Sequence, residues 1–113
     1  MDARGVRRGE TYAFDLSRHG FEKDRPVVIL QNDKGNRYSS DTIVAPCRDI
    51  KGGKLLPIHV ELAKGTGGLK KDCVVDTGIV HTIPKAQLGP RIGSLPAEDM
   101  RRVDRALRIS LGI

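Results

Sequence analysis

Two arginines bracket a stretch that reads RPVVILQNDKGNRYSSDTIVAPCR, from Arg25 to Arg48. A guanidinium stays charged at any ordinary pH and its planar N–H fork spans two oxygens of a phosphate. Between the two lie apolar β-type runs, Val27 to Leu30 and Thr42 to Ala45, separated by Asn, Asp, Gly and Ser residues that suit turns. If the runs pair as antiparallel neighbours, Arg25 lies just before one strand and Arg48 just after its returning partner, so both emerge at one end. The chemistry open to such a pair is to hold a phosphate. Proton transfer needs a further group, because arginine's pKa above about 12 makes it a poor base. His81 is one possible such group, since histidine alone has an unperturbed pKa near neutrality. A lone histidine is more often a structural hydrogen-bonding residue, and this applies equally to His59. Ser39, Ser40, Asp41 and Asp49 are weaker candidates.

Other cations stand in the loops. Lys34, Arg37 and Tyr38, between Asn32 and Asp41, form either a solvated loop tip or a cation pair with a ring for stacking a base, and composition does not separate the two. Lys51 and Lys54 surround Gly52 and Gly53 in a basic turn. Lys plus Arg number 20 against 14 Asp plus Glu, giving a formal charge of +6 and a pI near 9.7. That balance favours anionic partners such as nucleic acid, although solubility alone would also account for it. No apolar run approaches the roughly 20 residues of a membrane span, and Met1 to Glu10 is charged without a signal-peptide core, so the expectation is a cytoplasmic protein. Cys47 and Cys73 stand far apart with no zinc-type spacing, which points to buried reduced thiols rather than a metal site or disulfide.

The elements that must position these groups follow from periodicity. Thr11 to Leu16 alternates, with Tyr12, Phe14 and Leu16 on one face. Val27 to Leu30 is continuous and mostly β-branched, as a strand covered on both faces should be. Pro46 marks the edge or end of the second run. Ile58, Val60 and Leu62 alternate with His59, Glu61 and Ala63. KGTGGLKKD lacks the spacing of a phosphate loop and reads as a turn. Cys73 to Val75 and Ile79 to Ile83 read as short strands. The last segment reads as one helix, opened by Ser94 or Leu95 before Pro96, with Glu98 and Asp99 in its first turn. Met100, Val103, Leu107 and Leu111 form its apolar stripe, and Arg101, Arg102, Arg105 and Arg108 its solvated face. Strands followed by one late helix make a small twisted antiparallel sheet or partly open barrel capped by a helix, in one domain over residues 1–113. No helix-turn-helix pattern is present.

RPVVILQNDKGNRYSS, then TIVAPC, then PIHVEL, resembles the MazF/PemK family of bacterial toxins, small endoribonucleases that cut single-stranded RNA. RRGETYAFDL, HTIPKAQL and RRVDRALRISL extend the resemblance over nearly the whole chain. It implies an SH3-like barrel with a C-terminal helix, a homodimer, and cleavage by the ribose 2′-hydroxyl with no metal or cofactor. It also implies a cognate antitoxin that lays an acidic flexible segment across the RNA groove. Arg25 occupies the place of a family catalytic arginine. Ser17 to Asp24 is similar to the family's first long loop, which lies against RNA, so Glu22 and, as a stacking ring, Phe21 join the candidates. Two departures matter. Arg48 stands where the family carries a catalytic Thr, and Gly78, Ile79, Val80, His81, Thr82 and Ile83 replace an E-Q-[IV]-[RK]-[ST]-[IL] element that touches RNA. Arg48 is therefore expected to be a second phosphate clamp, with His81 a replacement acid or base. The alternatives are a catalytically impaired RNA- or antitoxin-binding module, or a DNA gyrase inhibitor of the same fold.

Overall fold

The computed structural model describes residues 5–15, 25–49 and 52–113. In chain order these form β1 (Glu10–Phe14), β2 (Arg25–Ile29), α1 (Asp33–Tyr38), β3 (Asp41–Arg48), β4 (His59–Leu62), β5 (Cys73–Asp76), β6 (His81–Pro84), β7 (Arg91–Ser94) and α2 (Ala97–Leu111). Every strand pairing is antiparallel, in the order β4-β5-β3-β2-β1-β7, with β6 also on β3. The result is a curled, mainly β half-barrel with one long C-terminal helix.

The continuous apolar run of β2 has the burial its composition demands. Val27, Val28 and Ile29 are all fully buried, because the sheet carries apolar packing on both faces. On one face Val28, Ala45, Cys47, Val60, Leu62 and Val75 meet Val103 and Ala106 of α2. On the other, Val27, Ile29 and Val44 join Tyr12, Phe14, Ile83 and Leu88. Side-chain alternation along each strand assigns the two sets.

β3 is longer than its apolar run, and Pro46 does not end it. Along one edge β3 pairs with β6 as far as Val44, then with β5 from Cys47. Pro46 falls in the gap where that edge changes partner, a place where a missing N–H is tolerated. The strand therefore continues to Arg48.

Further expectations are corrected. The polar loop after β2 contains the short helix α1, started by Asn32, whose side chain accepts from the Gly35 N–H at 2.8 Å. Tertiary contacts hold this helix. Buried Asn36 donates to the Gln31 carbonyl, accepts from the Thr42 hydroxyl, and offers its own carbonyl to the amino group of Lys85. At the other end of the chain, Ser94 lies in β7, and α2 begins after Pro96, with no side-chain cap. Leu111 is 57% exposed, because the last turn of α2 directs Ser110 to the Thr77 carbonyl and leaves Leu111 facing outward. Finally, the RIGS strand β7 sits close to the glycine-rich turn. A Cβ at Gly93 would lie 2.5 Å from the Gly67 carbonyl oxygen, so no larger residue fits there.

Candidate RNA groove

Arg25 is the first residue of β2 and Arg48 the last of β3. The register Val27↔Pro46, continued outward, sets the two arginines opposite each other on one face. Both line an open groove of about 1260 Å³. Lys70, Lys71 and Arg91 line it as well, together with His59. Arg91 is ion-paired to Glu10 at 2.8 Å. The groove is thus lined by five cations against the carboxylates of Asp49 and Asp72, an excess of positive charge that favours a polyanion.

Arg48 has a built environment. Its Nη1 donates to Asp76 Oδ2 at 2.8 Å, and Asp76 Oδ1 accepts from the Gly78 N–H at 2.9 Å. His59, paired with Asp76 across β4 and β5, brings Nε2 to 3.5 Å from the same carboxylate oxygen. His59 Nδ1 accepts from the Leu56 N–H at 3.0 Å, which leaves the proton of the neutral ring on Nε2, facing Asp76. Beneath the site, Cys47 is buried and Cys73 half-buried, and both are free thiols. Hydrogen bonding between them pushes the Cys47 thiol up, reinforced by burial, and pulls the Cys73 thiol below its usual value.

Several candidates named from the sequence lie elsewhere. His81 stands in β6 opposite Val44, away from the groove lining, whereas His59 lines the groove. Lys34, Arg37 and Tyr38 are exposed on α1, which follows the far end of β2 from Arg25. The Arg37 guanidinium lies 5.4 Å from the Tyr38 ring centre. Lys54 is exposed and outside the groove lining. Phe21, Glu22 and Lys51 fall outside the described residues. Lys70, Lys71, Arg91 and Asp76 were missed. The two lysines lie in a stretch that reads only as a turn, and Asp76 opens an Asp-Thr-Gly triplet whose burial only the strand register reveals.

The fold and groove together define a small cation-lined half-barrel suited to an extended polyanion. Residues 7–111 match the family described as PemK-like, MazF-like toxin of type II toxin-antitoxin system. The chain is 42% identical to a protein named Endoribonuclease MazF from Staphylococcus epidermidis, over 96% of this chain and 92% of that one. It is also similar to the solved Mycobacterium tuberculosis toxin MazF-mt6, with a TM-score of 0.76, 25% identity, and coverage of 94% and 98%. A mycobacterial endoribonuclease solved with its cognate antitoxin shares the fold at a TM-score of 0.82 and 24% identity, covering 96% of each chain. The chain belongs to the PemK-like, MazF-like family of type II toxins.

Proposed function

We propose that residues 1–113 act as a single toxin domain, a metal-independent endoribonuclease that cuts single-stranded RNA in the cytoplasm and is held in check by a cognate antitoxin. The observation that carries this reading is the placing of Arg25 and Arg48 on neighbouring strand ends in one groove with Lys70, Lys71 and Arg91. In this reaction the ribose 2′-oxygen attacks the adjacent phosphorus, charge builds on the phosphorane oxygens, and the 5′-oxygen leaves, giving a 2′,3′-cyclic phosphate. Arg25 and Arg48 stabilise the phosphorane, and the other cations follow the backbone. The His59 ring is held on both sides, Nδ1 by the Leu56 N–H and Nε2 against Asp76, so water or a group supplied by the RNA carries the proton.

The protein works as a homodimer with the groove near the subunit boundary, since one small domain cannot enclose a long substrate. The antitoxin partner is an acidic flexible segment that competes with RNA for the groove. Among the described residues no helix is long and apolar enough to cross a membrane. The test is incubation with a long single-stranded RNA in excess chelator: new fragments with cyclic phosphate ends support the reading. Arg48 at the position of the family's Thr favours one second reading, a binding module without turnover. RNA retained on the protein but left intact selects that one.

A further inference from the structure

We propose that Asp76 is the positioning residue that aims the Arg48 guanidinium into the groove. This rests on the endoribonuclease reading above and assigns the site a part outside the two arginines. Arg48 is paired with Val74, and alternation puts Asp76, two residues on, on the same face; His59 lies opposite Asp76 on the next strand. Three neighbouring strands thus set Arg48, Asp76 and His59 side by side. The carboxylate belongs to the protein interior, with its side chain 5% exposed, whereas the Arg48 side chain is 38% exposed and lines the groove. One end of the guanidinium is anchored from below while the residue faces the groove.

The anchor is itself held fixed. Gly78 supplies an N–H to Oδ1, and a Cβ at that residue would lie 3.1 Å from this oxygen and 2.6 Å from Ile58 Cδ1. The Thr77 N–H and hydroxyl both donate to the Ile58 carbonyl, and Ser110 of α2 donates to the Thr77 carbonyl. The turn bearing Asp76 is therefore pinned to the residue that leads into β4 and to the last turn of the helix.

An anion beside a phosphate-binding cation weakens ground-state attraction for RNA, so affinity alone does not account for it. A guanidinium held in one orientation acts where charge develops, and misplacement of a catalytic group costs rate rather than binding. Asp76 gives up attraction for orientation. The consequence is a split between binding and turnover that a merely structural residue would not produce.

The experiment uses the full-length protein and its Asp76→Asn variant. Single-turnover cleavage of a long RNA is read in chelator, and affinity is read with a fully 2′-O-methylated single strand, which cannot be cut. Cleavage is expected to fall about 10- to 100-fold, with affinity unchanged or a few-fold tighter. In an Arg48→Ala background the same change is expected to alter cleavage less than about twofold, because the group it positions is gone. Side-chain NMR of the Arg48 Nε–H supplies a readout independent of activity: a single ordered signal in the parent becomes averaged in Asp76→Asn. Asp76→Glu, which keeps the charge, is expected to retain the ordered signal, and it carries the test should the Asn variant not fold. The proposal is overturned if Asp76→Asn cleaves like the parent, if affinity and cleavage fall together, if the two substitutions act independently, or if the NMR signal is indifferent to Asp76. A parent that leaves RNA intact would sink the endoribonuclease reading, while the affinity and NMR arms would still decide the role of Asp76.

Discussion

Two buried polar clusters lie at opposite ends of the β2–β3 pair, and they are built to different ends. At the α1 end, Lys85 is 2% exposed and its amino group donates to the Asn36 carbonyl, while Asn36 binds Gln31 and Thr42. That cluster closes on itself and secures α1 to β3 and the turn after β6. At the groove end, a carboxylate just as deeply buried holds a guanidinium whose side chain is 38% exposed. This cluster opens outward. A buried charge is thus not itself the mark of a functional site; what distinguishes the second cluster is that one member reaches the groove.

Substitution separates the two. Arg25→Ala is expected to lower single-turnover RNA cleavage by about 10²- to 10³-fold, the usual consequence of removing one preorganised charge at a developing oxyanion. Its urea unfolding midpoint should stay within error of the parent, and unchanged turnover would remove Arg25 from the site. Lys85→Met should do the reverse, reducing unfolding free energy by about 2 kcal/mol because the buried Asn36 carbonyl loses its donor. Cleavage per folded molecule should be preserved; a selective loss of turnover there would erase the distinction between the clusters.

A smaller effect concerns the thiols under the groove. The lowered Cys73 thiol is half-buried and the raised Cys47 thiol buried, so near neutral pH iodoacetamide should label Cys73 about tenfold faster or more. Peptide mass spectrometry reads the ratio, and equal labelling of the folded protein would contradict the geometry. The smallest effect is expected at Tyr38, which is 64% exposed on α1. A stacking ring is worth roughly 1–3 kcal/mol per base, yet Tyr38→Ala should change RNA affinity by less than about half of the lower figure. A loss within the stacking range would show that the RNA track runs the length of the sheet.

Much of this was legible in the sequence. The apolar runs around Val27 and Val44, their antiparallel return and the shared end of Arg25 and Arg48 all follow from patterning, because a doubly covered strand pair declares itself by continuous β-branched residues. The helix α1 was not legible. Six residues with a central Gly35 carry little helical propensity, and the helix exists because Asn36 and Lys85, distant in sequence, bury against each other. The one local signal was Asn32 followed by Asp33, a capping pattern inside a segment rich in turn residues. Pro46 misled for a related reason. Proline ends a strand only where the ladder needs its N–H, and β3 changes partner at that point. Asp76 was hidden because its role depends on the β3–β5 and β4–β5 registers, which no single segment encodes.

The proposed joint grip of Arg25 and Arg48 on the scissile phosphate is tested by the Arg48 series. Single-turnover cleavage and binding of a 2′-O-methylated strand are compared for the parent, Arg48→Ala, Arg48→Lys and Arg48→Thr. Ala is expected to lose much of both affinity and cleavage, and Lys to recover part of the affinity without the two-point geometry of a guanidinium. Thr is predicted to stay well below the parent. If Thr matches or exceeds the parent while Ala stays far below it, a hydroxyl and not a clamp is what this position requires; if all three behave like the parent, Arg48 does not touch the phosphate.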